Sequence, residues 1–125
     1  MSDSSTESLY ELAYRAVAER RDWAEALGIL GQSDVDFELF LVYYDLRRRG
    51  RRVRLGHRPR TLIFDVKPNR IAEVLVLSEG RPVKASDIVE WSRLAVSDSH
   101  EPVLAIVDEG GGITYYEARV VSELR

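Results

Sequence analysis

Histidine and cysteine, two residue types that often carry acid–base, nucleophilic or metal chemistry, are scarce in this sequence. There are two histidines, His57 and His100, and no cysteine, which excludes a thiolate nucleophile and a cysteine metal site. The two histidines could form a metal-free acid–base pair, although isolated loop histidines are more often surface residues. The stretch Asp65–Lys67 has the D-x-K form of metal-dependent nucleases, but such a site needs another carboxylate on a neighbouring strand, and the strand predicted at 52–55 has none. We therefore expect no metal and no other cofactor.

Positive charge is concentrated in one segment, Arg47–Arg60, which contains no acidic residue, although the chain has a net charge of −3. Such segregation predicts a polyanionic or acidic partner at one surface, and the alternative is a solvated arginine-rich face. Arginine suits bidentate contacts with phosphate because its guanidinium is planar. The arginines that we expect on an edge strand and turn, free to bind RNA, are Arg51, Arg52, Arg54, Arg58 and Arg60.

A second charged feature is the acidic loop Asp108–Gly112, DEGGG, which lies between the apolar run Val103–Val107 and a strand-like segment Ile113–Val121. Three consecutive glycines exceed the requirement of an ordinary turn, which needs one residue at positive φ. The excess indicates a loop that offers Asp108 and Glu109 to a basic cleft on another chain. The alternative is a solvated hairpin.

Hydrophobic periodicity predicts the elements that position these groups. Helical spacing predicts one long helix up to Leu30, or two helices with a break near Asp22. A second, mostly apolar helix from about Asp34 to Arg49 should pack between the first helix and a sheet. The remaining predicted elements are strands Arg52–Leu55, Thr61–Val66, Ile71–Leu77, Val103–Val107 and Ile113–Val121, and a third helix from about Ser86 to Val96.

This order predicts an α/β domain with a mixed sheet over residues 33–125, preceded by an N-terminal helical segment over residues 1–32. The helix between the strands Ile71–Leu77 and Val103–Val107 predicts that these two strands are parallel, because parallel neighbours require a crossover connection.

Three stretches carry a resemblance to a known family: VYYDLRRRGRRVRLGHRPR, WSRLAVSDSHEPVLAIVDEGG and VDEGGGITYYEA. In order and spacing they resemble segments of tRNA-splicing endonucleases, also called tRNA-intron endonucleases. The resemblance runs from about Phe37 to Ala118. It implies the family's C-terminal fold, a restriction-endonuclease-like mixed sheet flanked by helices.

The resemblance also implies a function. Active members of the family cleave RNA without metal by means of a tyrosine, a histidine and a lysine, and these positions fall on Val66, Ile71 and His100. Because an aliphatic side chain cannot transfer a proton, the resemblance leads us to expect that the chain by itself is not an enzyme. We expect a structural, non-catalytic subunit of a heterotetrameric endonuclease that cleaves introns from precursor tRNA.

Family members assemble through the acidic loop, which docks into a basic cleft, and through C-terminal strands that lie side by side. The resemblance therefore implies a catalytic endonuclease subunit as partner, with two copies of each chain, and precursor tRNA as substrate. Because no apolar run approaches membrane-spanning length and the chain has no cysteine, we expect no membrane and a cytoplasmic location. An alternative is a stand-alone RNA-binding module that uses the cluster Arg47–Arg60. The residues expected at the subunit interface are Asp108, Glu109, Gly110, Gly111, Thr114, Tyr115 and Tyr116.

Overall fold

The computed structural model describes residues 3–31 and 36–119, which form four helices and five strands. The helices are α1 (Asp3–Arg20), α2 (Trp23–Leu30), α3 (Phe37–Arg48) and α4 (Ala85–Ser97). The strands are β1 (Val53–Leu55), β2 (Thr61–Lys67), β3 (Arg70–Ser78), β4 (His100–Val107) and β5 (Ile113–Glu117).

The N-terminal segment contains two helices with a break, as one of the two sequence interpretations predicted. Arg21 takes a positive φ of 54°, which a helix cannot continue. Asp22 then caps α2, because its carboxylate accepts a hydrogen bond from the backbone N–H of Glu25 at 2.9 Å.

Helix α3 is buried between α1 and the sheet, as predicted from its apolar sequence. Asp36 caps the helix by accepting hydrogen bonds from the backbone N–H groups of Glu38 and Leu39. Gly50 follows the helix at a positive φ of 89° and turns the chain towards β1. The predicted start at Asp34 lies outside the described residues, as does the proposed domain boundary between residues 32 and 33.

The sheet is mixed, as predicted, with the strand order β1-β2-β3-β4-β5. Strands β3 and β4 are parallel and joined through α4, and the other neighbours are antiparallel. One face of the sheet packs against the N-terminal helices and forms the main core, and α4 contacts β4 and buries Trp91 and Ala95. The predicted end of the last strand, Val121, lies outside the described residues.

Helix α1 is joined to the domain by polar contacts. The carboxylate of Glu7 accepts a hydrogen bond from the backbone N–H of Leu55 in the edge strand β1, at 2.7 Å. Glu11 forms an ion pair with Arg47 at the end of α3. None of the helices within residues 3–31 and 36–119 combines the length and the apolar character that crossing a membrane would require.

Candidate active site

Strand pairing brings the three family positions to one end of the sheet. Ile71, near the start of β3, is the pairing partner of Asp65 in β2 and of His100 in β4, and Val66 follows Asp65. Val66 and Ile71 carry aliphatic side chains, so His100 is the one of the three that can accept or donate a proton.

His100 does not lie in a loop, as the sequence interpretation had it, but is the first residue of β4. The strand extends further towards its N-terminus than the apolar run Val103–Val107, because parallel pairing with β3 continues to Ile71. Helix α4 ends at Ser97, and Ser99 takes a positive φ of 66°, so the chain passes from helix to strand within two residues. This tight turn fixes where His100 enters the sheet.

His100 contacts a buried glutamate on the neighbouring strand. Its Nδ1 atom lies 2.8 Å from Oε1 of Glu73, whose side chain is 1% exposed. Glu73 also accepts a hydrogen bond from Trp91 Nε1 at 2.9 Å, and from Arg58 Nη1 at 2.7 and 3.0 Å. Three elements thus supply donors to this carboxylate: α4, β4 and the turn before β2.

Sequence reasoning missed Glu73 because it counted Ile71–Leu77 as a nearly unbroken apolar run. The signal was present, since Glu73 is the one charged residue within that run. A buried carboxylate must be paired or hydrogen-bonded, so its position inside a central strand required partners from other elements.

Arg58 extends the network to a second carboxylate. Its Nη2 atom donates to Oδ2 of Asp98 at 2.5 Å, and this hydrogen bond is the main reason why the pKa of Asp98 is lowered. The exposed His57 has its Nε2 atom 3.7 Å from the same oxygen of Asp98. His100 therefore contacts Glu73 and His57 contacts Asp98, and Arg58 binds both of these carboxylates.

Metal chemistry at this cluster has a physical obstacle. Glu73, Asp98 and His100 have potential ligand atoms within 4.8 Å of one another. However, the Arg58 guanidinium is hydrogen-bonded to both carboxylates, and a metal ion would have to displace this cation. The Asp65–Lys67 stretch belongs to no group of three potential ligands within the described part of the chain, and Asp65 lies 3.6 Å from Arg54.

A pocket of about 440 Å³ adjoins His100. Arg70 and Arg119 line it together with His100, Glu101 and Glu117. Arg70 forms two hydrogen bonds with Glu101, at 2.6 and 3.0 Å, and both side chains are about half exposed. A phosphate in this pocket would therefore meet two arginines, Arg70 and Arg119, close to the candidate acid–base group His100.

The five arginines predicted to bind RNA do not share one environment. Arg51, Arg52 and Arg54 are exposed at the β1 edge, where they line a pocket of about 290 Å³. Arg58 is held by Glu73 and Asp98, and Arg60 forms a hydrogen bond with Glu38 and an ion pair with Asp36. These last two arginines bind carboxylates of their own chain.

The acidic loop is organised by Asp108. Its Oδ1 atom accepts hydrogen bonds from the backbone N–H groups of Gly110 and Gly112, at 2.9 and 2.8 Å. Gly111 has a positive φ of 87°, and a Cβ on Gly112 would lie 2.7 Å from the Asp108 carboxylate. Local structure therefore accounts for two of the three glycines, and the excess that we inferred from the sequence is smaller. Glu109 is exposed and has no partner among the described residues.

The aromatic strand β5 is the open edge of the sheet beyond β4. Tyr116 is 51% exposed, and Thr114 is also exposed. Tyr115 packs against the core, where its hydroxyl donates to Asp45 of α3 at 2.7 Å. Burial is the main reason why the pKa of Tyr115 is raised. Of the predicted interface residues in this strand, Thr114 and Tyr116 are available to another chain.

Comparison with known proteins identifies a family. The family model for the tRNA intron endonuclease, catalytic C-terminal domain, matches residues 37–115. The chain is 38% identical over 87 residues to an "EndA-like protein" of Methanopyrus kandleri, an alignment that covers 68% of this chain and 51% of that protein. It is 39% identical over 85 residues to a tRNA-splicing endonuclease of Methanococcus vannielii, with 62% and 47% covered. A tRNA-splicing endonuclease of Pyrococcus horikoshii is 36% identical over 94 residues, with 70% and 55% covered. The chain spans about half the length of the curated relatives it matches.

The expectation that the chain by itself is not an enzyme is wrong. The matching family is the catalytic domain, and Glu73, Asp98 and His100 form a histidine–carboxylate cluster at the end of the sheet. Both findings point to an enzyme. The expectation failed because it considered the aliphatic residues Val66 and Ile71 without Glu73, the buried partner of His100, which had been counted as part of an apolar strand.

Proposed function

Because this chain belongs to the tRNA intron endonuclease family, we propose that it is an endonuclease subunit that removes introns from precursor tRNA. It acts in a hetero-oligomer with a second chain of the same family, with two copies of each. The observation that carries the proposal is His100, a proton-transfer group in contact with Glu73 and next to a pocket lined by arginines.

The chemistry follows from the groups around that pocket. The 2′-hydroxyl of the RNA attacks the adjacent phosphorus and the bond to the 5′-oxygen breaks, which leaves a 2′,3′-cyclic phosphate and a 5′-hydroxyl. His100 takes the proton of the attacking hydroxyl, while Arg70 and Arg119 stabilise the charge that develops on the phosphate. Val66 and Ile71 cannot protonate the leaving oxygen, so we assign that step to the second chain.

Assembly with the second chain uses two surfaces on this one. Asp108 shapes the acidic loop and Glu109 extends from it without a partner among residues 3–31 and 36–119, which supports docking of the loop into a basic cleft. The open edge of β5 with the exposed Tyr116 supports strand-to-strand contact. This chain thereby contributes structure to the complex as well as a catalytic group.

Contact with RNA outside the pocket is assigned to Arg51, Arg52 and Arg54, which are exposed on or just before the edge strand β1, where phosphate can bind. The same patch favours a second candidate function, a stand-alone RNA-binding module. That module would bind precursor tRNA tightly on its own and leave it intact. The proposed subunit cleaves it, and binds it best when assembled.

Product analysis tests the proposal. The protein, alone and together with a related chain that retains the family's tyrosine and histidine, is incubated with intron-containing precursor tRNA in EDTA. In the mixture with the second chain, which supplies the proton for the leaving oxygen, we expect cleavage at the intron boundaries, with 2′,3′-cyclic phosphate and 5′-hydroxyl ends. Products with 3′-hydroxyl and 5′-phosphate ends would refute the mechanism, and tight binding without cleavage in either mixture would favour the RNA-binding module.

A further inference from the structure

We propose that Glu73 is the positioning residue that holds His100 with its proton on Nδ1 and leaves Nε2 as the proton acceptor for the RNA. This inference rests on the proposed function, because it concerns the same site. Glu73 is 1% exposed and does not line the pocket, and it therefore acts through His100 without touching substrate.

Both carboxylate oxygens of Glu73 are hydrogen-bonded. Oε1 contacts Arg58 and His100, and Oε2 contacts Arg58 and Trp91. The arginine and tryptophan groups can only donate, so both oxygens are acceptors, as in an ionised carboxylate. A carboxylate has no proton to give, so the 2.8 Å contact requires that Nδ1 of His100 carries the proton.

The other ring nitrogen of His100, Nε2, is the candidate proton acceptor. In a neutral imidazole with a proton on Nδ1, the Nε2 atom has a free lone pair. Nε2 of His100 makes no hydrogen bond within the described residues. It is also not one of their buried polar atoms that lack a hydrogen-bond partner, so it is accessible to solvent. His100 lines the pocket that Arg70 and Arg119 also line, so a hydroxyl bound there would meet this ring, whose free lone pair is on Nε2.

Hydrogen bonds from other elements hold Glu73 in a fixed position. Glu73 is held by Trp91 from α4 and by Arg58 from the turn before β2, and Arg58 is itself fixed by Asp98 and by the carbonyl of Leu94. A carboxylate clamped from two elements cannot turn away when substrate binds. His100 is thereby held in one orientation and one tautomer, which is the condition for efficient proton transfer.

The tautomer can be read directly in the wild-type chain. Long-range ¹H–¹⁵N correlation spectra of the ¹⁵N-labelled protein, recorded where histidine is neutral, distinguish a proton on Nδ1 from one on Nε2. We expect His100 in the Nδ1–H form and the exposed His57 in the Nε2–H form that free histidine favours. A proton on Nε2 of His100 would overturn the proposal, whereas the proposed cleavage function is judged separately by the RNA products.

Variants test whether the tautomer matters for cleavage. Glu73→Gln should mix the tautomers of His100 and lower kcat by roughly 100-fold or more, with KM little changed, as when a histidine loses its orienting carboxylate. The matched control is Glu79→Gln, which removes an exposed carboxylate just after the same strand, outside the pocket, and should leave the tautomer and kcat unchanged. Should Glu73→Gln fail to fold, Trp91→Phe removes one donor to Glu73 and should lower kcat by a smaller factor.

The outcomes distinguish the positioning role of Glu73 from the proposed function of the chain. If Glu73→Gln folds and cleaves as fast as wild type while His100→Ala is inactive, the positioning role of Glu73 is wrong and the proposed function stands. If His100→Ala itself cleaves like wild type, the role of His100 in the proposed function fails together with this inference.

Discussion

Replacement of Arg58 by methionine should destabilise the protein strongly, because it leaves the buried Glu73 carboxylate without the cation whose Nη1 atom contacts both of its oxygens. The Arg58 side chain is 16% exposed and that of Glu73 is 1% exposed, so little water can replace the lost contacts. Breaking a buried ion pair by removing one partner costs about 3–5 kcal/mol. Trp91 and His100 still donate to Glu73, which favours the lower end, about 3 kcal/mol.

Thermal unfolding followed by circular dichroism measures this cost. For a domain of this size, 3 kcal/mol corresponds to a fall in Tm of roughly 10 °C. The matched control is Arg70→Met, which breaks a pair with Glu101 that also has two hydrogen bonds but in which both side chains are about half exposed, and should hardly change Tm. Equal effects of the two substitutions would refute the argument that burial of Glu73 sets the energy of the network.

Three further predictions concern the loop, the basic edge and the pH dependence. If the loop is desolvated against a cation of the second chain, Glu109→Gln should weaken assembly by about 2–5 kcal/mol. Sedimentation at protein concentrations where the wild-type complex begins to dissociate measures this, and a complex of unchanged mass contradicts docking. Charge reversal at Arg52 and Arg54 should reduce the slope of log K for RNA against log salt by about 1 per lost phosphate contact, and an unchanged slope contradicts their role. Because Arg58 lowers the pKa of Asp98 below the ordinary value of 3.8, the contribution of Asp98 is present above that pH and is lost as pH falls through the folded-state pKa. The stability difference between wild type and Asp98→Asn, from urea titrations, should therefore shrink in acid, and a difference that grows in acid contradicts this sign.

The order of elements could be predicted from the sequence because it depends on local patterns. Apolar runs and turn residues predicted the strands, and the helix between the third and fourth strands predicted their parallel pairing, which the structure has. Element ends were less predictable, because pairing between strands extends them. Strand β4 begins at His100, before its apolar run, since it pairs with β3.

The environment of the charged residues could not be predicted in the same way. Arg58 and Arg51 are alike in sequence, but one points into a buried network and the other remains exposed. The difference depends on Glu73 and Asp98, which lie 15 and 40 residues from Arg58 along the chain. A sequence pattern does not show which residues that are far apart along the chain come into contact. For this reason the arginine segment appeared to be a single surface and the site of His100 was missed.

The contribution of His100 to RNA cleavage is the central claim, and single-turnover cleavage of intron-containing precursor tRNA measures it most directly. His100→Ala should lower the rate by about 10²–10⁴-fold, the usual contribution of a general acid or base. His57→Ala is the matched control, because it removes the other histidine near Asp98 and should leave the rate within about threefold of wild type. A His100→Ala protein that is folded, assembled and as fast as wild type would contradict the account.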